Sequence, residues 1–172
     1  MPYVDPNTVH NPTTGAVIPA SWGDNVRDNL EFLIDPPACS VYGSAVQVLT
    51  DNTAAAILAD SELFDSAAMH STSSNTSRIT IPTGLGGRYM IVATVFFESN
   101  GTGARIVRLR VDGSTNTDML AVGGSAASST VLSFSKPLVL TAGQYVEIMG
   151  LQTSGGDLDV QLTDFSAYFL TR

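Results

Sequence analysis

The sequence predicts an all-β protein, a jelly-roll β-sandwich carried behind a short N-terminal arm and one helix. Three observations lead there. From Cys39 onward, short apolar or alternating runs recur, about nine of them, as in a sandwich or jelly roll. Turn signals separate them: Gly84 with Gly86-Gly87, Gly123-Gly124-Ser125, Ala142-Gly143 and Gly155-Gly156-Asp157. Only residues 21–34 carry a helical period. No repeat of fixed length is present, which argues against a propeller or a β-helix. A chain of 172 residues suits one domain with an appendage. The division expected is 1–38 for the arm and anchoring helix and 39–172 for the jelly roll.

Residues 1–20 read as an extended arm. Pro2, Pro6, Pro12 and Pro19 forbid regular helix, and Asn7, Thr8, Asn11, Thr13, Thr14 and Gly15 form turns. Such an arm either stays disordered or orders on a neighbouring subunit. The helix follows. Ser21 suits its N-cap, and Asp24 three residues on gives a capping-box-like pair. Trp22, Val26, Leu30 and Leu33 make one apolar stripe, widened near its end by Phe32 and Ile34, and Asp35-Pro36-Pro37 stops it. So short a helix is not stable alone. The stripe packs on its own domain, on symmetry mates or on another protein.

The β region opens with Val41, Ala45 and Val48, then runs through a Ser/Thr/Ala-rich stretch from Asn52 to Ser77. Ile79-Thr80-Ile81 is brief. Residues 89–97 form the strongest strand, with Tyr89, Ile91, Ala93, Val95 and Phe97 on one face and Met90, Val92 and Phe96 on the other. A strand apolar on both faces is covered on both. Residues 104–111 alternate, with Val107, Leu109 and Val111 opposite Ile106, Arg108 and Arg110, and Asp112-Gly113 opens a turn. Residues 119–122, 131–134, 138–140, 145–151, 158–162 and 165–170 complete the set.

Composition excludes several functions. Charged residues are only 14%, well under the roughly 25% usual for soluble domains. Eight Lys+Arg against sixteen Asp+Glu give a net charge of −8. That balance lacks the basic face a nucleic-acid binder needs to displace counterions from phosphate. It equally disfavours anionic membranes. No apolar run reaches membrane-spanning length, and Met1–Asp5 lack the basic-then-apolar pattern of a secretory leader. Cys39 is the single cysteine, so neither an intrachain disulfide nor a cysteine zinc site is expected. The acids concentrate at the front. Residues 1–38 hold five acids against Arg27, and residues 39–172 hold eleven against seven Arg/Lys, so both parts carry −4. The short segment is the denser and suits a basic surface on a larger particle.

Three segments in order then resemble a known family. They are Ile81-Pro82-Thr83-Gly84 with Gly87-Arg88-Tyr89, Leu138 to Ile148 through Thr141-Ala142-Gly143-Gln144, and the closing Phe165-Ser166-Ala167-Tyr168-Phe169-Leu170. Together they resemble the trimeric jelly roll of the tumour necrosis factor and complement globular-head superfamily, over residues 40–171. Phe64-Asp65 resembles the Phe-Asp that precedes the Gly-x-Tyr strand there. Gln144 stands where that family has Asp, and Ala167 where it often has Gly. A second resemblance lies in front. Trp22 to Pro37, read Trp-x-x-x-Val-Arg-Asp-Asn-Leu-x-Phe-Leu-x-x-Pro-Pro, is similar to N-terminal segments of tailed-bacteriophage virion proteins that carry such a jelly roll. These proteins serve as head decorations, head fibres or minor tail proteins. The resemblances imply a homotrimer, with Tyr89, Ile91, Phe97, Tyr145, Tyr168 and Phe169 expected at its interface. They also imply an anchor through Trp22, Val26, Arg27, Leu30 and Leu33.

Catalytic constellations are nearly absent. His10 and His70 are the only histidines, and no His-Glu-x-x-His occurs. Gly123-Gly124-Ser125-Ala126-Ala127 approximates a nucleophile elbow without its last Gly or its helix, and reads as a loop. Asp112, Ser114, Asn116 and Asp118 repeat every second residue like a calcium loop, but Thr117 and Gly123 stand where Gly and Glu belong. A polar turn is the expectation. Arg108 and Arg110 share a strand face and meet either solvent, a neighbouring subunit's acids or an acidic partner. No enzyme activity, cofactor or metal is expected. The expected partners are two further copies and the major capsid protein or another virion protein, with no nucleic acid and no membrane. The expected location is the virion, assembled in the host cytoplasm. The alternative is a tail-tip head that recognises a host surface ligand through loops such as 112–118, 123–129 or 153–157. Fold alone does not choose between them.

Overall fold

Residues 89–97 lie in a strand with a buried face and a half-buried one. The computed structural model describes residues 15, 17 and 19–172, and of residues 115–119 and 162 the backbone only. The arm therefore lies almost wholly outside the described residues. Helix α1 spans Ala20–Ile34. The strands are β1 Ala38–Tyr42, β2 Gln47–Leu49, β3 Ala55–Ala56, β4 Ser61–Asp65, β5 Arg78–Thr80 and β6 Gly87–Phe97. They continue with β7 Ala104–Val111, β8 Ser114–Gly123, β9 Thr130–Leu140, β10 Tyr145–Gln152 and β11 Leu158–Thr171. A six-stranded sheet runs β4-β1-β11-β6-β9, with β2 also on β11, and a five-stranded sheet runs β3-β10-β7-β8, with β5 also on β10. Every pairing is antiparallel. The two sheets form the jelly-roll sandwich that the sequence predicted.

The core lies between them. β6 contributes Tyr89, Ile91, Ala93, Val95 and Phe97, all at 0% exposure. β11 adds Phe165 and Ala167, β7 adds Val107 and Leu109, and β10 adds Val146 and Ile148. Burial of these side chains drives the collapse, at roughly 1.5–3 kcal/mol for each large one.

Three readings of the sequence need correction. Residues 158–162 and 165–170 form one strand, broken in phase by a bulge between Leu162 and Asp164. Val160 points to the core before it and Phe165 after it, and a one-residue insertion switches faces in this way. Residues 131–134 and 138–140 are likewise continuous in β9. Pro137 is tolerated there because β9 is an edge strand, where a missing N–H breaks no ladder. The repeat from Asp112 to Asp118 is a hairpin and not a polar loop. Asp112 and Gly113 take φ of 49° and 72°, the left-handed pair of a tight two-residue turn, and the strand begins at Ser114. The alternation that resembled a calcium loop is thus the period of a strand.

The helix begins one residue earlier than expected. Pro19 occupies the cap without a side-chain bond, so Ser21 and Asp24 form no capping box. Phe32 alone on the helix is buried. Its ring meets Phe169 edge-on, 5.0 Å between centroids, and Phe169 meets Tyr89 in the same way at 5.4 Å. Gly87 makes room for Phe169, since a Cβ there would lie 2.6 Å from its ring. The Phe169 amide donates to the Pro37 carbonyl at 3.0 Å and fixes the chain as it leaves the helix. Phe32→Ala is expected to release the helix. Amides of residues 20–34 will then lose their hydrogen-exchange protection, because a 15-residue helix is marginal alone. The sandwich itself will shift in Tm by only a few degrees.

Candidate assembly interface

Among the described residues, the six-stranded sheet has one face on the core and one face that no other element covers. The even-numbered residues of β6 project to the bare side, and the register carries that side across the sheet. Tyr168 lies opposite both Ala38 and Met90, and Met90 opposite Pro137. Arg88 lies opposite Val139, and Phe96 opposite Val131. Phe64 of β4 joins them, its ring 6.3 Å from that of Tyr168. Phe64 is 45% exposed, Tyr168 39%, Leu170 51%, Val131 57% and Val139 71%. So many large apolar groups on one face mark an interaction surface. Hydroxyl groups fill the middle. Ser166 Oγ donates to Asp164 at 2.6 Å and pairs with Ser40 Oγ at 2.9 Å, while Thr94 and Ser133 hydroxyls meet at 2.9 Å. The hydroxyls of Ser40, Ser166, Thr94 and Ser133 thus find partners within the protomer.

The expected interface residues are redistributed by this geometry. Tyr168 is on the bare face. Tyr89, Ile91 and Phe97 are not, for they are fully buried in the protomer's own core. Phe169 is held between Phe32 and Tyr89. Tyr145 belongs to the other sheet, with the Arg78 guanidinium 4.0 Å above its ring. The alternation in residues 89–97 holds, and its odd phase, which carries Tyr89, Ile91 and Phe97, packs into the protomer's own core. Arg88 and Thr94 interrupt the even phase, whereas the odd phase is apolar throughout. An uninterrupted phase is the core phase, and that signal was in the sequence. Phe64, Val131 and Val139 share this face with Tyr168 only through strand pairing, which the sequence alone does not display.

The helix offers a second bare surface. Leu30 is 52% exposed and Leu33 72%, while Trp22 and Val26 are half-buried. The Leu30 and Leu33 end of the stripe therefore faces away from the sandwich, which the helix touches through Phe32. Arg27 is exposed and ion-paired within the helix, to Asp28 at 3.0 Å, Asp24 at 3.2 Å and Glu31 at 3.8 Å. Exposed pairs of this kind contribute little stability.

Charged groups elsewhere serve the scaffold. Glu147 is buried on the five-stranded sheet. It accepts from Ser77 Oγ at 2.8 Å, Arg78 Nε at 3.1 Å and Arg110 Nε at 2.9 Å. Burial pushes its carboxyl up, but the bonds from Ser77, Arg110 and Arg78 and the Arg110 charge outweigh it and hold the group below the ordinary range. Arg105 is fully buried at the opposite end from the helix. It donates to the carbonyls of Asn100 at 2.6 Å, Thr102 at 3.0 Å and Ala104 at 3.2 Å, and burial lowers its pKa. Arg105 is thus a clasp for the 100–104 loop. Among the described residues no three His, Cys, Asp or Glu gather to hold a metal ion, and no helix is long and apolar enough to cross a membrane. A groove of about 350 Å³ between helix and sandwich is lined by residues including Glu31, Asp35 and Ser66. The Ser66 hydroxyl is engaged there with the Ala38 backbone.

No family model matches the sequence, and no curated protein matches it. Solved structures do. The globular domain of zebrafish complement 1qA is similar with a TM-score of 0.58 at 19% identity, covering 79% of this chain and 98% of that one. The fold is that of the complement globular head. Eiger, a tumour necrosis factor of S. frugiperda, is similar with a TM-score of 0.53 at 13% identity, covering 78% of this chain and 94% of that one. The segments that suggested this jelly roll lie in strands and in a turn between strands here. Gly87-Arg88-Tyr89 opens β6, Gln144 closes the turn into β10, and residues 165–170 lie in β11. Gln144, the departure from the expected Asp, donates through Nε2 to Asp112 at 2.9 Å and accepts from the Thr141 amide at 2.8 Å, and so ties two turns together.

Proposed function

We propose that this protein is a structural, non-enzymatic component of a tailed-bacteriophage virion, a homotrimeric head-decoration or head-fibre protein. Three sandwiches pack around a threefold axis through the bare face of the six-stranded sheet. Cyclic symmetry needs no second protein type to close such a module. The N-terminal segment, residues 1–38, attaches the trimer to the major capsid protein or another virion protein. It does so by the stripe of Trp22, Val26, Leu30 and Leu33, with its acidic residues steering it to basic surface. The trimer forms in the host cytoplasm and ends on the particle.

The observation that carries this reading is the exposed end of the helix stripe. Leu30 and Leu33 stay exposed although the helix is docked by Phe32. A helix that held only its own domain together would turn this stripe inward. The similarity of Trp22 to Pro37 to phage virion segments supports the particle as its partner.

Removal of residues 1–38 tests the proposal. The shortened protein is expected to keep the trimer mass and to lose binding to purified capsids in a co-sedimentation assay. Equal capsid binding by shortened and full-length protein overturns the anchor. Full-length protein that ignores capsids and labels host cells overturns the decoration role in favour of receptor recognition.

A further inference from the structure

Both ring nitrogens of the buried His70 side chain face acceptors, an arrangement that an imidazolium beside an ionised Glu62 satisfies in full. Its side chain is 0% exposed. Nδ1 lies 2.9 Å from Glu62 Oε1 and Nε2 lies 3.1 Å from the Thr76 carbonyl oxygen. Both partners are acceptors. A neutral imidazole has one N–H and satisfies one of them, leaving a lone pair against a lone pair at the other. The imidazolium donates to both. Glu62 of β4 meets the ring, Asp65 of β4 accepts from the His70 amide at 2.8 Å, and Arg78 of β5 lines the same cavity and is paired with Glu147.

The ring sits where it can control a segment. Residues 66–77 link β4 to β5. Asp65 holds the start of this loop through the amides of Ala67 and His70. The imidazole then bridges from β4 across to the loop's far end at Thr76, whose carbonyl also accepts from Ala59. β4 is an edge strand of the six-stranded sheet and brings Phe64 onto its bare face.

We propose that His70 is a proton-operated clasp. Its imidazolium ties the 66–77 loop to strand β4, and loss of the proton frees the loop. The clasp is closed when both ring nitrogens carry protons and opens when one of those protons leaves. Where the bare face is the trimer contact, as proposed above, opening also loosens the strand that carries Phe64.

Hydrogen exchange of the full chain at about pH 5.5 and pH 8, corrected for intrinsic rates, reads the loop directly. Peptides covering 66–77 are expected to lose protection by about tenfold at the higher pH. His70→Gln will show no such change, and His10→Gln, which alters the other histidine, will keep it. A response retained in His70→Gln overturns the clasp. So does a ring-nitrogen NMR spectrum of the wild-type protein that shows a neutral tautomer at about pH 5.5, and this reading holds even where the variant fails to fold. Molar mass measured on the same samples is a separate readout. A loop that responds to pH in a monomer leaves the clasp standing and overturns the trimer.

Discussion

Tyr168→Asp, and Phe64→Asp beside it, are expected to convert a trimer into folded monomers. Both side chains are partly exposed in the single copy, at 39% and 45%, so the sandwich folds without them. In the trimer each would place an unpaired carboxylate in a covered apolar face, three times over. A desolvated charge without a partner costs several kcal/mol, and about 2.7 kcal/mol already shifts an association constant 100-fold. At micromolar concentration the variants will therefore elute as single chains with an unchanged far-ultraviolet circular dichroism spectrum. Tyr145→Ser, on the other sheet, will leave the mass unaltered. A trimer that survives Tyr168→Asp but falls apart with Tyr145→Ser would place the interface on the opposite sheet.

Glu147→Gln is expected to be among the most damaging single changes to the monomer fold. The carboxylate receives Ser77, Arg78 and Arg110 at one buried point, and the amide leaves two guanidinium groups facing each other without a counter-charge. Breaking a buried pair from one side costs about 3 kcal/mol, or roughly 6–12 °C in Tm for a domain of this size. The pH dependence follows from the depressed carboxyl. Its contribution is fully present above the unfolded value of about 4.3 and is lost as pH falls through the lower folded value. Thermal melts from pH 7 downward will thus show a shallower acid slope for Glu147→Gln than for the wild-type chain. Parallel slopes would mean the carboxylate is no more stabilised folded than unfolded.

What could be read from the sequence was whatever depends on neighbours along the chain. The strands at 89–97 and 104–111 announce themselves by alternation, and the Gly-rich turns mark their ends. The helix was found to within a residue at its start, although Pro19 and not Ser21 takes the cap. Harder to see was the bulge near Thr163, because a phase flip in the apolar pattern looks like the end of one strand and the start of another. The same local logic turned the alternating polar residues 112–118 into a suspected loop. Contacts between distant residues were out of reach. Glu147 meets Ser77 and Arg110 across 70 and 37 residues, and Phe64 meets Tyr168 only after β4 pairs with β1 and β1 with β11. The helix stripe was legible as a pattern, but its freedom from the sandwich was not, since that depends on Phe32 reaching Phe169.

The low charge content has its structural counterpart in the bare sheet face and the helix stripe. Both are apolar surfaces that a solitary soluble domain would avoid. Light scattering of the purified full-length protein at micromolar concentration measures most directly whether they are covered by copies of the same chain. The account predicts a mass three times that of the 18.0 kDa protomer, independent of dilution across that range. A mass equal to one protomer would contradict it.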